Sequence, residues 1–469
     1  MASTSLCFLT IAEAGRLMRA REITPVELTE ALLSRITALD HLIASYVTVT
    51  GELALDQARK AEQDFAAGRD RGPMQGIPYG LKDLFDVAGV RTSACSRMFQ
   101  NHVATADSSV VRRLNEAGAV HLGKHSCQEF ASAGPCFDLP WPPSRNPWDI
   151  NLSPGGSSTG SGAAVTAGMA MGAMGTDVGG SIRNPASFCG LAGIKPTYGR
   201  ISRKGMIANS WTLDHSGPLT WTVEDCAIML GAIAGYDPDD PGSADEPVPD
   251  FRASLNDGIK GLKIGVLRRL YEEEYPANDE VLRCMNEAIA AMRDMGAVIE
   301  DAELPPLLDY SDVRRIIGAA EFYALHEQDF SEHLGLFGEQ IRNRFFQGAM
   351  IPAVDYIQAQ RKRWKLIQET NKVFSAYDVV LCANQFGPAG PLSGTPWRNN
   401  LGLSVTGPFN VTGHPSLCVC NGFSASGLPM SMQILGKPFD EATLFRVGRA
   451  YEDATPWRGT RPDLEAQLT

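Results

Sequence analysis

"SPGGSSTGSGAAVTAGMAMGAMGTDVGGSIRNP", residues 153–185, is crowded with Gly, Ala and Ser and carries almost no charge before Asp177 and Arg183. Three uses fit such a composition: a flexible linker, a phosphate cradle or the floor of an active site. A linker of this kind is Gly and Ser with little else. Here Ala163, Val165, Met169, Met171 and Met174 interleave with the small residues, which predicts one tightly packed, buried helix. A phosphate cradle needs G-x-x-x-x-G-K-[ST], or G-x-G-x-x-G after an apolar strand, and neither is present. Gly156 to Gly160 match G-x-S-x-G, which makes Ser158 the nucleophile of an elbow. That motif requires a strand directly before the serine, and Pro154 with its polar approach does not supply one.

The two ends of the stretch favour an active-site floor. One end is Gly155-Gly156-Ser157-Ser158 and the other is Gly179-Gly180-Ser181-Ile182-Arg183. Consecutive glycines let the backbone turn sharply and aim several N–H groups into one small volume. An oxyanion hole requires such a cluster. Two Ser-bearing turns joined by one packed helix bring two hydroxyls together.

The rest of the chain reads as alternating helices and strands. Thr24-Pro25-Val26-Glu27 is a capping box with Pro at the first helical position. A second helix is expected over 52–67, and "GIPYGLKDLFDVAGV" reads as a strand entering a turn. "LKIGVL", "AVIEDAEL", "YDVVLCA", "SLCVCNG" and "LPMSMQILG" read as strands, helices dominate 311–375, and 440–452 is a closing helix. This alternation predicts an α/β sheet with helices on both faces.

Composition narrows the function. The 469 residues are 44% hydrophobic and 20% charged, enough for a large core. The formal net charge is -12, spread along the chain, which speaks against a nucleic-acid footprint. No apolar run reaches the roughly 20 residues of a membrane span, and the N-terminus does not read as a signal peptide, so a cytoplasmic location is expected. The ten cysteines form no C-x-x-C pair and no zinc spacing, and are expected to be buried, reduced thiols.

"GIPYGLKD", "GGSSTGSGAAV", "GTDVGGSIRNPASFCGLAGIKPTYGR" and "TGPFNVTGHPSLCV…GLPMSMQILG" together resemble, in the same order, the amidase signature family. The resemblance runs from about Ile77 to Glu452 and is weakest between Ala244 and Val379. It implies one α/β/α domain over residues 1–469 around a mixed, twisted sheet. Within it, N-terminal helices occupy 1–70, the core about 77–240, a variable helical region about 245–375, and closing strands and a helix 376–469. It implies cleavage of amide C–N bonds, with carbamates (urethanes) and esters open to the same chemistry, and neither cofactor nor metal. Residue by residue, Lys82 matches the family's buried base, Ser157 the serine held by a cis peptide bond, and Ser181 the nucleophile. Val178, Gly179, Gly180 and the Ser181 N–H match the oxyanion hole, while Ser158, Asp177 and Arg183 match supports of the two turns.

Elementary chemistry agrees with those roles. A serine hydroxyl is a weak nucleophile until a base takes its proton. Lysine serves as that base only when neutral, and burial lowers its pKa. Ser157 can accept a proton from Ser181 and pass its own to Lys82.

Many relatives carry Gly where this chain has Thr159, and Asp where it has Gln128. Gln128, Phe130, Phe137, Trp141, Asn384, Gln385 and Phe386 fall where the family's substrate pockets form, and no Arg stands in "CANQFGPAG". The expected substrate is therefore a small neutral amide or carbamate, aryl or apolar, handled by a monomer or homodimer. Two alternatives stand beside it. One is the glutaminase component of a tRNA-dependent amidotransferase, which works with partner subunits. The other is a non-catalytic binding protein on an amidase scaffold.

Overall fold

Thr24 opens the first long helix, Pro25–Ile43: its side chain accepts from the Glu27 N–H at 3.1 Å, and the Glu27 carboxylate accepts from the Thr24 N–H at 2.8 Å. That reciprocal pair satisfies two N–H groups that a helix end otherwise leaves open. The computed structural model describes residues 3–132, 134–393 and 403–468.

Among the described residues eleven strands form one mixed sheet. They are β1 Tyr46–Val49, β2 Pro78–Lys82, β3 Val120–His125, β4 Gly172–Asp177, β5 Ala192–Lys195, β6 His215–Thr220, β7 Lys263–Val266, β8 Val298–Asp301, β9 Val379–Ala383, β10 Ser416–Phe423 and β11 Pro429–Leu435. The order across the sheet is β1-β3-β2-β4-β6-β5-β10-β11-β9-β7-β8. β2 runs parallel to both β3 and β4, and β7 parallel to β8 and β9; the remaining pairs are antiparallel. Every residue of β2, β3, β4, β5 and β6 is buried, as strands covered on both faces require. The edge strands β1 and β8 keep solvent-facing residues.

The Gly/Ser stretch departs from the expected single helix. It forms a short helix, Thr159–Thr166, and then β4. Gly168 ends the helix: its φ is +69°, and the Met169 N–H turns back to the Ala164 carbonyl at 2.8 Å. All eight helix residues are buried. A methyl group on Gly162 would lie 2.9 Å from the Pro185 side chain, so the small residues let this helix seat against the Arg183–Cys189 helix. The two serine turns thus flank a helix and a strand that run back along each other.

The main core contains residues from both ends of the chain, Ile11 and Leu28 among them, with Phe445 and Tyr451. A second, aromatic cluster joins Phe130, Phe330 and Phe337, and a third joins Tyr310, Val313 and Ile317 to Val411. All ten cysteines are buried and unbridged. Among the described residues no helix is long and apolar enough to cross a membrane.

Candidate active site

Lys82 closes β2 and is fully buried. Its Nζ lies 2.7 Å from Ser157 Oγ and 2.7 Å from Thr176 Oγ1. Both partners are neutral hydroxyls. Burial pushes the Lys82 ammonium down to about 8, against the smaller upward pull of Cys127, Asp214, Asp177 and Cys95. A group so placed holds a large neutral fraction near neutral pH and can take a proton.

Ser157 is 1% exposed, and the Gly156–Ser157 peptide is cis. The Gln128 N–H donates to the Ser157 carbonyl at 3.0 Å, which ties this turn to the segment after β3. Gly155 adopts φ +82°, and a methyl there would stand 2.7 Å from the Asn184 carbonyl oxygen. Only glycine allows that approach of one serine turn to the other. The Ser158 N–H then donates to the Ser181 carbonyl at 3.2 Å, a direct stitch between the turns.

Ser181 is half-buried, so its hydroxyl can meet a ligand. Asp177 shapes its turn. The Asp177 carboxylate accepts from the Gly180 N–H at 2.6 Å, the Ile182 N–H at 3.1 Å and both Arg183 Nε and Nη2 at 3.0 Å. Burial opposes the charge on Asp177, but Arg183 and the Asn410 amide hold its carboxyl well below the usual carboxylate range. Arg183, also fully buried, donates further to the Thr406 carbonyl, Gln433 Oε1 and Asn410 Oδ1 at 2.9, 2.9 and 2.6 Å. Removing one member of such a buried pair typically costs about 3–5 kcal/mol.

One expected donor is redirected. The Gly180 N–H, expected in the oxyanion cradle, points to Asp177 because Gly180 turns at φ +123°. Among the described residues no hydrogen-bond partner takes the N–H of Gly179 or Ser181, which leaves these two for a ligand.

Ser158 is buried, and its Oγ bridges the Thr176 N–H and carbonyl, each at 3.3 Å. It pins the Thr159–Thr166 helix to β4 and has no route to a substrate. The elbow assignment therefore fails on access.

The expected pocket residues part company. Gln128 stands against Gly156 and, with Trp141 and Thr159, lines a pocket beside the Ser157 turn. Gln385 Nε2 donates to Asn184 Oδ1 at 2.5 Å, and Asn184 Oδ1 covers Gly180. Asn384 is buried and donates to the Arg183 carbonyl at 3.1 Å, so it supports the nucleophile turn from below. Phe130 is fully buried in the aromatic cluster, Phe137 is 64% exposed, and Phe386 packs on Tyr275 with ring centres 4.7 Å apart. These three aromatics do not form a wall around the serines; two sit in cores and one faces solvent.

Other residues enter the site without a signal in their local sequence. Thr176 is the second partner of Lys82, and Thr406 Oγ1 donates to the Gly179 carbonyl at 2.8 Å. Thr176 lies inside the quoted stretch, one residue before Asp177, where it reads only as a strand residue. Thr406, Asn410, Gln433 and Arg314 lie far along the chain, in runs that do not point to the serines.

The fold and this arrangement of a buried lysine and two stitched serine turns define an amide hydrolase of the amidase signature class. The family model named Amidase matches residues 27–445, and the chain belongs to that family. It is 39% identical over 490 residues to the first component (GatA) of the glutamyl-tRNA(Gln) amidotransferase of Roseiflexus sp. (strain RS-1), covering 99% of this chain and 100% of the relative. Among solved structures it is similar to the native peptide amidase of Stenotrophomonas maltophilia (TM-score 0.85, 31% identity, 97% of this chain and 98% of the other). It is also similar to a bacterial aryl acylamidase belonging to the amidase signature family (TM-score 0.88, 25% identity, 96% and 97%).

Proposed function

We propose that this chain hydrolyses a small polar amide by acyl transfer to Ser181. The observation that carries the proposal is the fully buried Lys82 amine, 2.7 Å from the Ser157 hydroxyl on the turn stitched to that of Ser181. Neutral Lys82 takes the proton of Ser157 as Ser157 takes that of Ser181, and Ser181 Oγ attacks the carbonyl carbon. The negative charge that develops on the carbonyl oxygen falls to the N–H groups of Gly179 and Ser181. The proton then returns through Ser157 to the leaving nitrogen, the C–N bond breaks, and water attacks the acyl-enzyme by the same relay.

A small amine is favoured over an aryl or carbamate leaving group. The aromatic residues that would greet an aryl substrate are turned away from the serines, whereas amides, hydroxyls and N–H groups ring them. A second reading, the glutaminase component of a tRNA-dependent amidotransferase, is favoured by the full-length similarity to a protein of such an enzyme. It uses the same acyl-enzyme and differs in its need for partner subunits.

A fluorophosphonate probe with peptide mapping tests the nucleophile. We expect label on Ser181 and none on Ser158, and Ser181→Ala to lower turnover by at least ~10³-fold. Label on Ser158 would sink the assignment. Turnover of short primary amides, glutamine, anilides and aryl carbamates by the chain alone then separates the substrate readings. Glutamine turnover only with added partner subunits would decide for the amidotransferase, and a preference for anilides would restore the aryl substrate.

A further inference from the structure

Arg314 lies on the Leu307–His333 helix, more than a hundred residues from the serines in sequence. The helix brings it to them through packing. Its neighbour Val313 is buried in the apolar cluster against which Val178, the residue after β4, also packs. That contact docks the helix on the nucleophile turn and sets the next side chain over it. A methyl group on Gly179 would stand 2.8 Å from Arg314 Nη1, and one on Gly407 would stand 3.3 Å from Arg314 Nε. The guanidinium therefore lies across the Gly179–Gly180 turn, with glycine on both sides leaving it room. Arg314, Val178, Gly179 and Ser181 are all half-buried, so the cation borders the open side of the site.

Resting on the nucleophile assignment above, the geometry points to Arg314 as a specificity residue that binds a carboxylate on the acyl part of the substrate. A carbonyl oxygen held by the Gly179 and Ser181 N–H groups lies beside the guanidinium, so a short acyl chain places a terminal carboxylate against it. Arg presents a planar fork of donors that matches a carboxylate in a bidentate pair, and such charge-assisted pairs are about twice as strong as neutral hydrogen bonds. The preferred substrates are then monoamides of short dicarboxylic acids and related amides with an anionic acyl end. The other half-buried groups around Ser181, Asn184 and Gln385, are polar and carry no negative charge to repel that end.

The test compares isosteric amides on the purified chain: malonamate against isovaleramide, and succinamate against 4-methylpentanamide. We expect kcat/KM to favour the carboxylates by at least about tenfold, within the range a site built for a polar group achieves. Arg314→Met should reduce that preference by at least about tenfold, mainly through KM, and Arg314→Lys should retain part of it. In parallel, succinate should slow fluorophosphonate labelling of Ser181 in the parent chain and not in Arg314→Met. Circular dichroism establishes that the variants are folded. Equal rates for each isosteric pair, a preference unchanged in Arg314→Met, or no protection by succinate would overturn the proposal. Failure of Ser181 to take the probe would instead count against the nucleophile assignment, and calorimetry of succinate with the parent and Arg314→Met proteins would still judge the carboxylate site.

Discussion

Two lysines, Lys82 on β2 and Lys124 on β3, are both fully buried, and their strands run parallel side by side. In register, Leu81 faces Lys124 and Lys82 faces His125, so the two amines project to opposite faces of the sheet. Lys124 meets the Asp83 carboxylate at 3.0 Å and the Thr92 hydroxyl at 2.8 Å. Lys82 meets only hydroxyls, those of Ser157 and Thr176. Equal burial thus serves opposite ends. On one face a carboxylate compensates the charge and the lysine holds the strand to the loop after β2. On the other face neutral partners leave the charge costly, and the lysine becomes a proton acceptor. The partner, rather than the depth, decides the role.

The sharpest way to break this comparison is to remove each amine in turn. Lys82→Met should lower kcat by at least ~10²-fold while the protein stays folded, because a neutral side chain replaces a group that burial disfavours in its charged form. Lys124→Met leaves Asp83 buried beside no cation and should cost about 3–5 kcal/mol of stability in denaturant melts. If Lys82→Met melts early and Lys124→Met only loses turnover, the two roles have been exchanged.

The pH dependence sharpens it next. With Lys82 pushed down to about 8, kcat/KM should rise as pH increases through that value and then level. Stability follows the same group with a definite sign. Its unfolded pKa is near 10.4, so between about 8 and 10.4 the unfolded chain binds more protons at this site and its contribution to stability rises with pH. Below about 8 the full cost of charging the buried amine is present. Lys82→Met should flatten that rise in urea-unfolding free energies measured across the window.

Thr176→Val keeps the shape of β4 and removes one hydroxyl from Lys82. We expect about a tenfold loss of turnover, the worth of one hydrogen bond, with a shifted pH midpoint as the signature that the lysine felt the change. Ser158→Ala is the mildest: about 1 kcal/mol of stability and less than about tenfold in turnover, since its hydroxyl bridges β4 without touching the serine relay.

Much of the site is legible in the sequence because the chemistry is compressed. Lys82, Ser157, Ser181, Asp177 and Arg183 fall in short, distinctive runs, and the structure sets them in one contiguous network of hydrogen bonds. The sheet is legible from strand-like runs, but the partition of the Gly/Ser stretch is not. Small apolar residues suit a buried helix and a doubly covered strand alike, and only the positive φ at Gly168 separates the two. Phe130 and Phe386 mislead because an aromatic in a loop reads the same whether it lines a cleft or fills a core. Arg314, Thr406 and Asn410 are invisible for a different reason. Their meaning comes from docking against a turn 130 to 230 residues away, and no local pattern encodes that.

Arg183 ends its reach at Thr406, Asn410 and Gln433, on segments that follow it by more than two hundred residues. A ribosome that has just added Ser181 has therefore made the reactive hydroxyl but not the groups that hold its turn. The nascent chain carries the serine in a loop whose buried arginine has no carbonyl or amide to receive it. Reactivity arrives only when β11 is threaded between β10 and β9, close to the end of synthesis. A chain cut before Gln433 should accordingly remain inert toward the probe, and a separately supplied C-terminal fragment that completes the sheet should switch labelling on.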